Sequence, residues 1–97
     1  MNDICFVCGK KLKAKGPSDN YSADIFECEI CGRYIIELNV FDNGKISDTK
    51  KKAIKEFIIN NKEKLKELEK KNIYPHFVNY LEKGENHIIN GQYFILI

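Results

Sequence analysis

A chain of 97 residues with 43% hydrophobic and 31% charged side chains is sized for one small domain and has the composition of a folded protein, not of a disordered tail. Its formal net charge is only +2, which argues against a protein that lives mainly on phosphate contacts. The opening MNDICFVCGKKLK lacks an apolar run of signal-peptide length, and no stretch nears the about 20 apolar residues of a membrane span. The expected place is therefore the cytoplasm, with no membrane partner.

Residues 1–46 hold all four cysteines. Cys5-Phe6-Val7-Cys8-Gly9 and Cys28-Glu29-Ile30-Cys31-Gly32 are one device used twice. Two residues between cysteines let a tight turn aim both sulfurs at one point, and the glycine that follows can take the left-handed backbone such a turn demands. In a reducing compartment such pairs read as metal ligands and not as disulfides. A thioredoxin-like motif would need a single pair beside a βαβ pattern, which is absent here. Cys5, Cys8, Cys28 and Cys31 are thus the expected ligands of one structural Zn²⁺; iron in a rubredoxin-like site uses the same ligand set and stays open. Four thiolates on Zn²⁺ carry about −2, so the loaded protein is close to neutral.

Between the knuckles, Lys10 to Asn20 contains Gly16-Pro17-Ser18-Asp19 and reads as a loop. Tyr21 to Glu27 is a strand candidate. Tyr34 to Phe41 is rich in β-formers and stops at the turn signal Asp42-Asn43-Gly44. A treble-clef finger would begin a helix after its second knuckle; a strand is expected here instead. With CFVCG, CEICG and GRYIIELNVF, residues 4–41 resemble the zinc-ribbon superfamily, in particular the ribbon that opens many uncharacterised prokaryotic or phage proteins. The resemblance implies a structural zinc ion and a β-rich fold. It leaves function open, because ribbons serve in transcription factors, ribosomal proteins, polymerase subunits and small regulators. Residues 47–97 resemble no family.

The second segment reads as helix. Ser47 or Asp48 is the N-cap, and Ile54, Ile58, Asn61, Leu65, Leu68 and Asn72 follow at spacings of 4, 3, 4, 3 and 4 with Phe57 on the same face. One long amphipathic helix is expected, although Asn60-Asn61 can break it into two with an asparagine as the second cap. The stripe serves either as a core face or as the seam of a homodimer with Asn61 fixing register; the core is favoured because a lone ribbon buries little. Pro75 then opens a short helix that Gly84 ends. His87-Ile88-Ile89, Asn90-Gly91 and Gln92-Tyr93-Phe94-Ile95 form a hairpin with a type I′ turn. The expected fold class is α+β: a four-cysteine zinc ribbon over 1–46, then a helical segment and C-terminal hairpin over 47–97, packed together as one unit.

A closed set of four cysteines leaves no open position for water or substrate, and the chain shows no nucleotide-binding glycine loop and no nucleophile motif. No enzyme is expected. His76 and His87 invite comparison with HNH-type nucleases, but the histidine motif of that family lies between the knuckles, whereas both histidines here follow the second. The expected function is a small adaptor or regulator that binds a protein partner, with Lys51, Lys55, Lys62 and Lys66 on the helix as contacts. The alternative is nucleic-acid binding through Lys10, Lys11, Lys13 and Lys15 together with Lys50 to Lys55. Solvated lysine faces account for both groups equally simply, and Arg33 is the one arginine available for base-edge readout.

Overall fold

A computed structural model describes residues 3–19, 22–82 and 84–97. In chain order it contains β1 (Ala14–Pro17), β2 (Ala23–Cys28), β3 (Gly32–Glu37), a single 3-10 turn (Leu38–Val40), α1 (Asp48–Asn60), α2 (Lys62–Lys70), β4 (Tyr74–Val78), β5 (His87–Ile89) and β6 (Gln92–Leu96). The six strands form one mixed sheet in the order β1-β2-β3-β4-β6-β5. β1, β2 and β3 run antiparallel; β4 lies parallel to both β3 and β6; β5 returns antiparallel to β6. Strands from both segments of the sequence therefore share one sheet. Among the described residues no helix is long and apolar enough to cross a membrane.

Alternation decides which sheet face meets the helices. Phe26, Tyr34, Ile36, Phe77, Tyr93 and Ile95 join Ile54, Ile58 and Leu65 of the helices in a single core. Phe57 packs edge-on against Phe77, with ring centroids 5.9 Å apart, and tilts over Tyr93 at 6.1 Å. The apolar part of the helical stripe, Ile54, Ile58 and Leu65, is thus buried within the chain. Ser47 caps α1 as expected, its side chain accepting from the Lys50 amide at 3.3 Å.

The single helix divides at Asn61. Its backbone leaves the helical region (φ −120°, ψ 24°), and its Nδ2 donates to the Phe57 carbonyl at 2.8 Å. A short amide side chain that bonds a nearby backbone carbonyl competes with the helical ladder, so the asparagine ends α1; it also stands at the N-cap of α2, where its backbone carbonyl accepts from the Leu65 amide at 2.9 Å while its side chain makes no cap bond. Asn72, placed on the buried stripe by its spacing, is exposed and stops α2. It takes the left-handed conformation (φ 61°), its amide donates to Glu69 O and that of Ile73 to Leu68 O, each at 2.9 Å. This is the Schellman closure with asparagine in the usual glycine position.

That reversal overturns the expected short helix from Pro75. Tyr74–Val78 is instead the central strand β4, with Pro75 through Val78 all buried. A strand covered on both faces shows a continuous apolar run and no alternation, which makes it easy to misread. Proline is tolerated because the ladder to β3 begins only at His76. Gly84 (φ 70°) marks a turn closed by its amide on Leu81 O at 2.9 Å, and not a helix end. The hairpin at Asn90-Gly91 is present, with φ of 50° and 78°, but it is the outer part of the six-stranded sheet and not a separate C-terminal element. Lys10 to Asn20, read as loop, contributes β1, an edge strand where Gly16 and Pro17 cost little. Asn20 and Tyr21 lie outside the described residues, and the strand expected over 34–41 gives way to the 3-10 turn after Glu37.

His76, expected in the first turn of a helix, is fully buried in β4. Its Nε2 lies 3.2 Å from Glu37 Oε2, and its ring stacks on Phe94 at 4.7 Å. Burial lowers its pKa from 6.5 to about 4. A depressed folded value means that the stability gained by holding the ring neutral is complete above pH 6.5 and declines as the pH falls towards 4. At about 1.4 kcal/mol per pH unit the loss approaches about 3 kcal/mol. The Glu37 carboxyl, raised by burial, works in the opposite direction once it takes up a proton. His76→Leu removes the histidine contribution, so its thermal midpoint relative to wild type is expected to rise as pH falls from about 7 to about 4.5; parallel profiles would show that His76 does not titrate in this window.

Candidate metal centre

Both knuckles are formed by local chain geometry. In the first, the Cys5 amide donates to Lys10 O and the Gly9 amide to Cys5 O, each at 2.7 Å, with Gly9 at φ 78°. The second is the connection between β2 and β3: Cys28 closes one strand, Gly32 (φ 84°) opens the next, and the two are register partners. The Cys31 amide points at Cys28 Sγ from 3.4 Å. Sheet pairing thus fixes the second knuckle, and the first folds against it through Cys5, Val7 and Leu12, which are buried with Phe26 and Tyr34.

The four Sγ atoms lie within 4.8 Å of one another, with Cys5–Cys31 at 3.9 Å and Cys8–Cys28 at 3.4 Å. A tetrahedral ion with metal–sulfur bonds of about 2.3 Å requires sulfur–sulfur separations of about 3.8 Å. The cluster has that size, so the four cysteines can hold one metal ion. Electrostatics point the same way. Burial pushes the Cys31 thiol upward, and the neighbouring Cys5 and Cys28 push it further. Four sulfurs this close do not lose their protons together unless a cation sits among them. All four donors come from protein, and among the described residues no histidine or carboxylate joins the cluster.

In the sequence Tyr34 reads only as a β-former, yet it belongs to the site. Its hydroxyl lies 3.2 Å from Cys5 Sγ. Burial, and then the bond to Cys5, hold the phenol well above its ordinary range, so it stays protonated and has a proton to share with the sulfur. Phe26 stacks on the Tyr34 ring at 5.2 Å and Phe6 meets it edge-on at 5.9 Å, which fixes the ring beside the cluster. With a metal ion on the cysteines, the phenol would be placed to make the outer hydrogen bond that orients a ligand. Tyr34→Phe is expected to leave the fold intact and weaken metal retention by about tenfold, the lower end for loss of such a contact, read by competition with a chelator. Unchanged affinity would show that the hydroxyl is only a packing group.

The other expected site residues lie elsewhere. Lys51, Lys55, Lys62 and Lys66 are exposed on the two helices, and Lys10, Lys11, Lys13 and Lys15 are exposed along the first knuckle and the β1 edge. Lys15 Nζ sits 5.5 Å above the Phe26 ring, and Lys50 is hydrogen-bonded to the Asn79 side chain. His76 and His87 stack on Phe94, whose strand lies between theirs, and His87 Nδ1 lies 3.0 Å from Glu85 O.

A groove of about 400 Å³ separates the second knuckle from the helices, lined by Ile30, Cys31 and Gly32 on one side and by Ile58, Lys62, Leu65 and Lys66 on the other. Nothing in the sequence announced it, because its walls come from segments far apart in the chain. Compared with protein families, curated proteins and solved structures, the chain matches none.

Proposed function

We propose that Cys5, Cys8, Cys28 and Cys31 hold one structural zinc ion, and that the ribbon so fixed is a non-enzymatic module which binds a protein partner. Zinc suits the donor set: four thiolates in a closed tetrahedron make a structural site, whereas a catalytic one keeps a position for water. The observation that carries the binding reading is the groove beside the second knuckle, a cleft with both apolar and charged lining residues, on a small protein whose one candidate metal cluster among the described residues consists of four cysteines.

The reading is tested with the purified full chain. Elemental analysis should find one zinc per chain, and affinity purification from the native host followed by mass spectrometry should recover a defined protein at stoichiometric amounts. A folded protein without metal would overturn the first part. Submicromolar binding to random DNA or RNA at about 150 mM salt, abolished by removing Lys10 to Lys15 or Lys50 to Lys55, would replace the second part with a nucleic-acid-binding function.

A further inference from the structure

We infer that the groove between the second knuckle and the helices receives a short acidic peptide segment bearing one large apolar side chain. This assignment rests on the protein-binding reading and names the chemistry of the partner. Ile58 and Leu65 are buried in the groove floor, and Ile30, at the tip of the knuckle, remains 50% exposed although it faces the same space. A cleft of about 400 Å³ is near the lower end of binding pockets, which span about 300–1,000 Å³. It suits one apolar anchor and not an extended hydrophobic face.

Charge defines what flanks that anchor. Lys62, Lys66 and Lys70 all line the groove, and their four-residue spacing sets them along one side of α2. Lys70 already pairs with Glu67 at 3.2 Å. Among the described residues Lys62 and Lys66 have no carboxylate within ion-pair distance. The carboxylates of the groove lie on the knuckle side: Glu29 belongs to the knuckle, and Glu69, although it arises from α2, reaches across so that a Cβ on Gly32 would lie 2.7 Å from its oxygen. The two sides thus differ in sign. A segment with carboxylates on one flank of its apolar anchor meets Lys62 and Lys66 and keeps clear of Glu29. A nucleic-acid strand, charged at every unit, would bring phosphates against the acidic side and the thiolate cluster as well.

Cys31 and Gly32 form part of the wall, so a groove built this way exists only while the knuckle is closed on its metal, and binding should be lost with the zinc.

A displayed library of random 12-residue peptides is the probe, selected against the zinc-loaded full chain at about 150 mM salt. Sequences with Asp or Glu close to a Leu, Ile, Met or Phe are expected to be enriched. Lys62→Glu combined with Lys66→Glu should reverse the preference towards basic peptides and weaken the best acidic peptide by at least about tenfold. Ile30→Asp should abolish selection of the apolar anchor. All three positions are exposed, and a thermal midpoint within a few degrees of wild type confirms that each variant folds. Lys45→Glu combined with Lys71→Glu, both exposed and outside the groove, should change nothing. Acidic peptides that bind equally well to the groove variants would overturn the groove assignment while leaving the protein-binding reading in place. Enrichment with no acidic character would overturn the partner chemistry. If no peptide is retained and no host protein co-purifies, both readings fall together.

Discussion

Cys28→Ser is expected to leave the chain largely unfolded and free of metal. Cys28 is 4% exposed, closes β2, and is the register partner of Gly32 at the start of β3. Its loss opens the ligand set at the point where the sheet and the knuckle share residues. Structural zinc contributes about 10–16 kcal/mol to the folding of small zinc domains, whereas a domain of this size has about 5–15 kcal/mol in total. A three-thiolate site cannot make up that difference. Removing zinc from the wild type with a chelator at neutral pH should have the same outcome, since the same binding energy is withdrawn. Circular dichroism and elemental analysis of the variant test this together. A metal-free Cys28→Ser protein with native spectrum and cooperative melting would show that the helices and β4–β6 sustain the fold without the ribbon.

Phe77→Ala carries the second large effect and reaches the fold from the other end. Phe77 has no exposed surface, sits in the middle strand, is the register partner of Ile36 on one side and Ile95 on the other, and takes the edge of Phe57 from α1. Truncating a buried phenylalanine costs about 3–5 kcal/mol through lost transfer energy and the cavity left behind. The variant should therefore lose a large share of its stability, read as a lower midpoint in urea at fixed free zinc, because ligand concentration shifts the apparent stability. Tyr80→Ala, with Tyr80 73% exposed, is the control and should stay within about 0.5 kcal/mol of wild type. Equal midpoints for the two variants would mean that β4 is not the centre of the core.

The contrast between the two sites shows which features a single sequence reveals. The knuckles were legible because their information is local: cysteines two residues apart followed by glycine, with both glycines found at positive φ. The Ser47 cap and the Asn90-Gly91 turn were legible for the same reason. β4 was not. Its residues are buried on both faces by partners distant in the chain, and it has a proline at a position that on local grounds starts a helix. The break at Asn61 was recognisable as an option, but spacing alone could not decide it, because Ile58 and Leu65 remain on one stripe whether or not the backbone bends between them. At the candidate metal centre the four clustered cysteines were readable, whereas Tyr34 carried no sign beyond its place three residues after Cys31. The groove depends on α2 lying across from the knuckle, a relation that no local pattern encodes.

The position of β4 also has a consequence for how the chain reaches this state. β2 with β3 and β5 with β6 are antiparallel pairs joined by short turns, the kind of contact that forms within microseconds. β4 has no such neighbour. Its ladder to β3 spans the entire helical segment, and its ladder to β6 bypasses β5. The middle of the sheet is therefore assembled last, after loop-closure entropy has been overcome on both sides. Until β4 docks, the Tyr34-Ile35-Ile36 edge of β3 is open, and an unpaired apolar edge is a template for pairing with other chains. The short β2–β3 turn, closed by the Cys28–Gly32 register pair, presents that edge in its final register before its partner arrives. While β3 is paired with β2 alone its other edge is the surface most open to aggregation, and helix formation, by shortening the chain between β3 and β4, favours their pairing.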